Sequence, residues 1–100
     1  MSVPEFQIEF STLAQKDISD ILTYTLDSWG EDQFVSYQAL LDKAFAILIH
    51  NPHIGRADDR LRTYSVGSHR IFYRTAGQTI YVMRVLHEKM NPDRYLQNLQ

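Results

Sequence analysis

A single residue, Gly30, separates two helical stretches, and this break constrains the chain more than any other feature. Before it, Ala14, Ile18, Ile21, Leu22, Thr25 and Trp29 recur at intervals of three and four on one face, with Asp17, Asp20 and Asp27 opposite. After it, Phe34, Tyr37, Leu41, Ala44, Phe45 and Leu48 form a second stripe with the spacing of a core face. Ser11 and Thr12 offer hydroxyls to cap the first helix, and Gly30 can end it as a left-handed cap. Glu31 and Asp32 complement the N-terminal dipole of the second. Two helices joined by one glycine fold back as an antiparallel hairpin, so both stripes need an apolar surface to cover them.

The rest of the chain supplies that surface. Phe6, Ile8 and Phe10 alternate with Gln7 and Glu9, the period of a half-buried strand. Asn51–Pro52 and Ile54–Gly55 break the second helix and open a loop over 50–62. Strands are expected over Leu61–Val66, His69–Thr75 and Thr79–His87, with Gly67–Ser68 as a two-residue hairpin turn and Ala76–Gly77–Gln78 as the next. Asn91 caps a short last helix with Pro92 at its first position. The order β-α-α-β-β-β-α predicts an α+β fold: an antiparallel sheet, an N-terminal helical hairpin on one face and a short C-terminal helix. A length of 100 residues allows one core, hence a single domain over 1–100.

Alternation places Ile71 and Tyr73 on one side of their strand and Arg70, Phe72 and Arg74 on the other. The same count groups Ile80, Val82, Arg84 and Leu86 against Tyr81, Met83, Val85 and His87. Neither face is cleanly apolar, which suggests helices on one side and, on the other, a surface completed partly by something the chain does not supply.

Charge is unevenly distributed. Residues 1–55 carry two lysines against eight acids, a net of −6, whereas residues 56–100 carry eight bases, seven of them arginine, against four acids, a net of +4. An arginine-rich half suits an anionic partner, either nucleic acid or an acidic peptide. The absence of cysteine removes disulfides, thiolate metal sites and cysteine nucleophiles, and fits a reducing cytoplasm. The N-terminus shows no secretory signal pattern, and the longest apolar run, AFAILI at 44–49, is far too short to span a bilayer. His50 and His53 near Asp58 and Asp59 match no zinc spacing, and four glycines form no phosphate loop, so neither metal nor cofactor is expected. For RNA cleavage by a 2′-hydroxyl, His69, His87 and Glu88 could exchange protons while Arg56, Arg62, Arg70, Arg74 and Arg84 hold phosphate. The same residues also suit an ordinary strand facing an acidic partner. His69 beside the tight turn reads as structural; His87 at a strand end suits either role.

Taken in order, ISDILTYTLDSWG, NPHIGR, LRTYSVGSHRIFYR and IYVMRVLHEKMNPDRYL resemble the ParE branch of the RelE/ParE toxin superfamily, from about Phe6 to Leu96. That resemblance implies the toxin half of a bacterial type II toxin–antitoxin pair. It would be cytoplasmic, neutralised by a ParD-type antitoxin, and would inhibit DNA gyrase by binding, not by enzymatic action. RelE- and YoeB-like relatives share the fold but cleave mRNA in the ribosome, which is the alternative reading. Against it, His87 is followed by Glu88, Lys89 and Met90 where YoeB-like cutters close on a His-Tyr pair. Only three lysines exist, and a net charge of −2 is unlike a ribosome-directed enzyme. The resemblance therefore implies no catalytic residues, and Arg56, Arg62, Arg70, Arg74, Arg84, His87 and Met90 as the antitoxin- or target-binding set. The alternative would require Arg70, Arg84 and His87 to converge. Neither membrane association nor sequence-specific DNA binding by the toxin alone is expected.

Overall fold

Strand β1 (Gln7–Phe10) leads into helix α1 (Thr12–Trp29) through Ser11, in a computed structural model that describes residues 5–58 and 61–97. Ser11 acts twice: its Oγ accepts the Ala14 N–H at 2.9 Å and donates to the Met83 carbonyl at 2.7 Å. It thus caps the helix and pins the helix start to a distant strand; Thr12 is the first helical residue. Gly30, with φ 91 and ψ 179, adopts a conformation that only glycine enters readily. Its N–H donates to the Leu26 carbonyl while its own carbonyl accepts the Phe34 N–H, so one residue ends α1 and begins α2 (Glu31–His50).

Beyond α2 come β2 (Arg56–Ala57), β3 (Arg62–Val66), β4 (His69–Ala76) and β5 (Thr79–His87), in a five-stranded sheet of order β1-β5-β4-β3-β2. Two features differ from the expected sheet. First, β2 to β5 are antiparallel, but β1 joins the edge of β5 in parallel, from Gln7 opposite Thr79 to Phe10 opposite Val82. A parallel pair cannot be joined by a tight turn, and here the α1–α2 hairpin carries the chain to the far edge at β2, from which β3 and β4 lead back to β5 beside β1. Second, β2 lies inside the expected loop; two residues are too few for alternation to register. The tight turns are Gly67–Ser68 and Gly77–Gln78, with φ of 56 and 59 at their glycines. With no positive φ at any described non-glycine residue, these are turns whose first central position requires glycine.

The helices cover one face of the sheet. Ala14, Leu41, Ala44, Phe45 and Leu48 pack with Ile71, Tyr73, Ile80, Val82 and Val85. Trp29 departs from its stripe and is 70 % exposed. Helical periodicity assigns a face, but not whether anything lies opposite at that height. The larger correction is in β5. Phe72 pairs with Arg84 and Tyr73 with Val82, so Met83 is an extra residue in a β-bulge. Ile80 and Val82 therefore share the helix-covered face with Val85 and His87, while Arg84 and Leu86 lie on the other. Simple alternation would have driven the Arg84 charge beneath the helices.

On that second face Phe72 and Leu86 are also buried. Part of their cover comes from the chain itself, because residues 88–97 return across the sheet. Arg70 Nη2 donates to the carbonyls of Glu88 and Met90 at 3.1 and 3.2 Å. Asn91 then caps α3 (Pro92–Leu96) by accepting the Asp93 N–H at 3.0 Å.

The loop before β2 is fixed by Tyr73, whose buried Oη accepts the Gly55 N–H at 2.9 Å. A Cβ at position 55 would lie 2.6 Å from that oxygen. Replacing Tyr73 with phenylalanine should therefore lower unfolding free energy by about 1–3 kcal/mol, the cost of an orphaned buried N–H. Urea melts with an unchanged m-value would show it; an unchanged midpoint would remove this bond from the account. Gly55→Ala should destabilise as well, by displacing the phenol.

Candidate functional site

Each arginine on the sheet is placed by strand pairing and then held, or left free, by its neighbours. Arg84 is held most firmly. Its Nε and Nη2 donate to Asp17 Oδ2 and Oδ1 at 2.8 and 2.9 Å, a bidentate pair whose side chains are each 13 % exposed. Asp17 Oδ2 also accepts the Val85 N–H at 3.0 Å. Asp17 is thus not on a solvated outer face, as its helical position had suggested, but closes the edge of β5 where β1 stops pairing. Arg84 Nη1 reaches the Tyr95 carbonyl at 3.3 Å, and the guanidinium lies 5.7 Å from the Tyr95 ring centroid. Hydrogen bonding to Asp17 raises the arginine pKa further. A fork already occupied by a carboxylate is not available to grip phosphate.

Pairing puts Arg56, Arg70, Arg74 and Arg84 on the face away from the helices and Arg62, opposite Tyr73, on the other. Arg62 holds the loop, donating to the carbonyls of His53 and Gly55 at 3.0 and 2.9 Å. Arg70 holds the returning segment, and its guanidinium lies 5.6 Å from the Phe72 ring. Arg74 stacks on Tyr81 at 4.8 Å. The Nε atoms of Arg70 and Arg74 are buried without a hydrogen-bond partner among the described residues. Arg56 is exposed on the rim of a cleft of about 750 Å³, floored by Thr63, Ser65, Arg70 and Phe72 and walled by Pro92 and Leu96. Asp58 and Asp93 line it too, so its charge is mixed.

His87 lies on the opposite side of the sheet, paired with His69 at a ring separation of 5.3 Å. Its Nδ1 accepts the Lys89 N–H at 3.1 Å. Tyr37, from α2, bonds His69 Nδ1, accepts the Ser68 N–H at 3.2 Å and approaches the Val66 carbonyl at 3.3 Å. It locks the helix to the β3–β4 turn, and Gly67 is required because a Cβ there would lie 2.7 Å from the phenol oxygen. Burial, reinforced by His87 and opposed by Glu88, lowers the His69 pKa. Met90 lines a shallow groove between α1 and β5 with Ile21, Tyr24, His69 and His87. His87 thus lies on the face opposite Arg56, Arg70 and Arg74, Met90 meets Arg70 through its backbone carbonyl while lining the other groove, and Arg70, Arg84 and His87 do not converge. Asp17 and Tyr37 escaped sequence reasoning because their positions fit a solvated face and a core stripe equally well.

Residues 8–92 match the family model described as the ParE toxin of type II toxin-antitoxin system, parDE. Proteins named Toxin ParE1 from two strains of Mycobacterium tuberculosis are 44% identical over 91 residues, covering 86% of this chain and 93% of theirs. A Toxin ParE1 from Caulobacter vibrioides is 34% identical over 90 residues, with coverage of 86% and 93%. Among solved structures, one described as the chromosomal ParDE TA system from P. aeruginosa aligns with a TM-score of 0.72 at 14% identity, covering 85% of this chain and 98% of that one. The toxin–antitoxin complex RelBE2 from Mycobacterium tuberculosis aligns at 0.62 with 24% identity, covering 85% and 99%. These two likenesses are of fold.

Asp17→Ala removes three hydrogen bonds and leaves a largely buried guanidinium unpaired, which should cost about 2–4 kcal/mol of unfolding free energy. A loss below about 0.5 kcal/mol would mean the pair is only decorative. His69 predicts a pH effect of definite sign. Its folded pKa is lowered, so on acidification the unfolded chain takes up the proton first. Stability should fall as pH drops through about 6.5, the ordinary histidine value, and level off below the folded value. Urea midpoints for the protein and His69→Gln should converge on acidification through that range; parallel curves would contradict the assignment.

Proposed function

Because the chain belongs to the ParE toxin family of type II toxin–antitoxin systems, we propose that it blocks DNA gyrase by binding and is neutralised by a ParD-type antitoxin. The observation that carries the binding reading is the bulge at Met83. It sends Arg84 to the carboxylate of Asp17 and turns His87 to the opposite face. An RNA-cleaving centre needs a proton-transfer group and a phosphate-holding cation around one reacting phosphate. Here the candidate groups are divided between two faces, and the arginine nearest the strand end is consumed internally. The proposed toxin makes and breaks no covalent bond; it acts in the cytoplasm by occupying a surface of its target.

For the antitoxin, Arg56 and Arg74 are the most available of the expected arginines. Among the described residues neither side chain has a hydrogen bond or ion pair, although Arg74 stacks on Tyr81, whereas Arg62, Arg70 and Arg84 serve the fold. An acidic segment crossing this face would pair with them and complete the cover that residues 88–97 begin.

Purified toxin should inhibit gyrase supercoiling or accumulate cleaved DNA, and prior mixing with its antitoxin should restore activity. Full supercoiling with excess toxin would remove gyrase from this reading. Arg56→Glu with Arg74→Glu should weaken antitoxin binding at least about tenfold in titration calorimetry. Unchanged affinity would place the antitoxin elsewhere.

A further inference from the structure

The closed end of the helical hairpin exposes large apolar side chains that the core does not use. Trp29 is 70 % exposed, Val35 62 % and Leu26 40 %, clustered in sequence around the Gly30 joint. Asp27, Glu31 and Asp32 are exposed beside them, and none forms an ion pair among the described residues. The hairpin is acidic throughout: residues 12–50 carry two lysines against six acids, while residues 56–100 carry eight bases against four.

Apolar area left in water contributes nothing to folding, and a group of large apolar side chains exposed around one joint marks an interaction surface. Tryptophan is among the residues enriched at interface hot spots, because it buries a large rigid area at small entropic cost. The surrounding charge selects the partner. Three unpaired carboxylates repel nucleic acid and an acidic peptide, and they steer a basic surface into contact.

We propose that this tip is the docking surface for the toxin's protein target: Trp29 enters an apolar pocket while Asp27, Glu31 and Asp32 meet a rim of lysines or arginines. The identity of the target rests on the reading above. Gyrase satisfies the chemistry because an enzyme that holds DNA must present basic surface around its polyanionic substrate. The two charged ends of the chain then have separate partners, the acidic tip for the target and the arginine-bearing sheet face for the antitoxin.

Two variants test this, Trp29→Ala and the triple reversal Asp27→Lys, Glu31→Lys and Asp32→Lys. Every substituted side chain is exposed, so the circular dichroism spectrum should match the original protein, with only a small fall in melting temperature for the triple reversal, where lysines replace the two acids of the first turn of α2. Growth arrest on induction, gyrase supercoiling and antitoxin affinity are measured for each. Inhibition should weaken at least about tenfold in both variants, as loss of an interface anchor does. Antitoxin affinity should stay within about twofold, and inhibition by the original protein should decline with added salt. Variants that arrest growth and inhibit gyrase like the original overturn the proposal. So does loss of antitoxin binding with toxicity retained, which would make the antitoxin the occupant. An original protein that arrests no growth overturns it too, since no target is engaged. If the original protein arrests growth without affecting gyrase, and both variants lose the arrest, the gyrase reading fails and the tip stands for another basic protein.

Discussion

The carboxylate of Asp17 is the contact on which the arrangement of β5 depends. It receives two donors from Arg84 and the backbone N–H of Val85, and so joins α1, the far half of β5 and, through Arg84, the carbonyl of Tyr95. A β-edge left open beyond Val82 would present unpaired backbone groups to other chains. Asp17 fills one of those positions as a neighbouring strand would, and a cation held in place compensates its charge. The same contact stabilises the bulge, because the extra residue at Met83 is what lets Arg84 turn outward while Val85 turns into the core. Ser11 supports the bulge from the other side by donating to the Met83 carbonyl.

This arrangement separates what the chain uses to hold itself together from what it can offer to others. Arg62, Arg70 and Arg84 tie the loop before β2, the returning C-terminal segment and α1 to the sheet. Tyr37 and His69 lock the hairpin to the β3–β4 turn. Of the five sheet and loop arginines expected to face a partner, two have side chains without a hydrogen bond or ion pair among the described residues: Arg56 on the cleft rim and Arg74, stacked on Tyr81. Trp29, the most exposed aromatic among the described residues, lies instead at the helical tip, among acids. Among the described residues an acidic helical tip and an arginine-bearing sheet face are thus set apart, an arrangement that suits the proposed binding role of a member of the ParE toxin family.

Much of this was legible in the residues. The caps at Ser11 and Asn91, the break at Gly30 and the glycine-led turns follow from local rules, because each is decided by a few neighbouring atoms. The core stripe of α2 and the pairing of Ile71 with Tyr73 followed from periodicity. What could not be read depended on contacts across the chain. The Met83 bulge inserts one residue into an otherwise regular alternation and exchanges the faces of everything after it, so Arg84 and His87 were assigned incorrectly relative to Val82. Asp17 occupied a polar helix position that only an arginine 67 residues away could bring inward. Trp29 followed its stripe in sequence but met no partner in space. The parallel seat of β1 required knowing where the hairpin returns.

The central claim is that the separation of Arg70 and Arg84 from His87 leaves the toxin a binding protein with no cleaving centre. Primer extension on mRNA undergoing translation with the purified toxin tests it most directly. The account predicts a pattern identical to that without toxin. Codon-dependent cuts that disappear in a His87→Ala variant would contradict it.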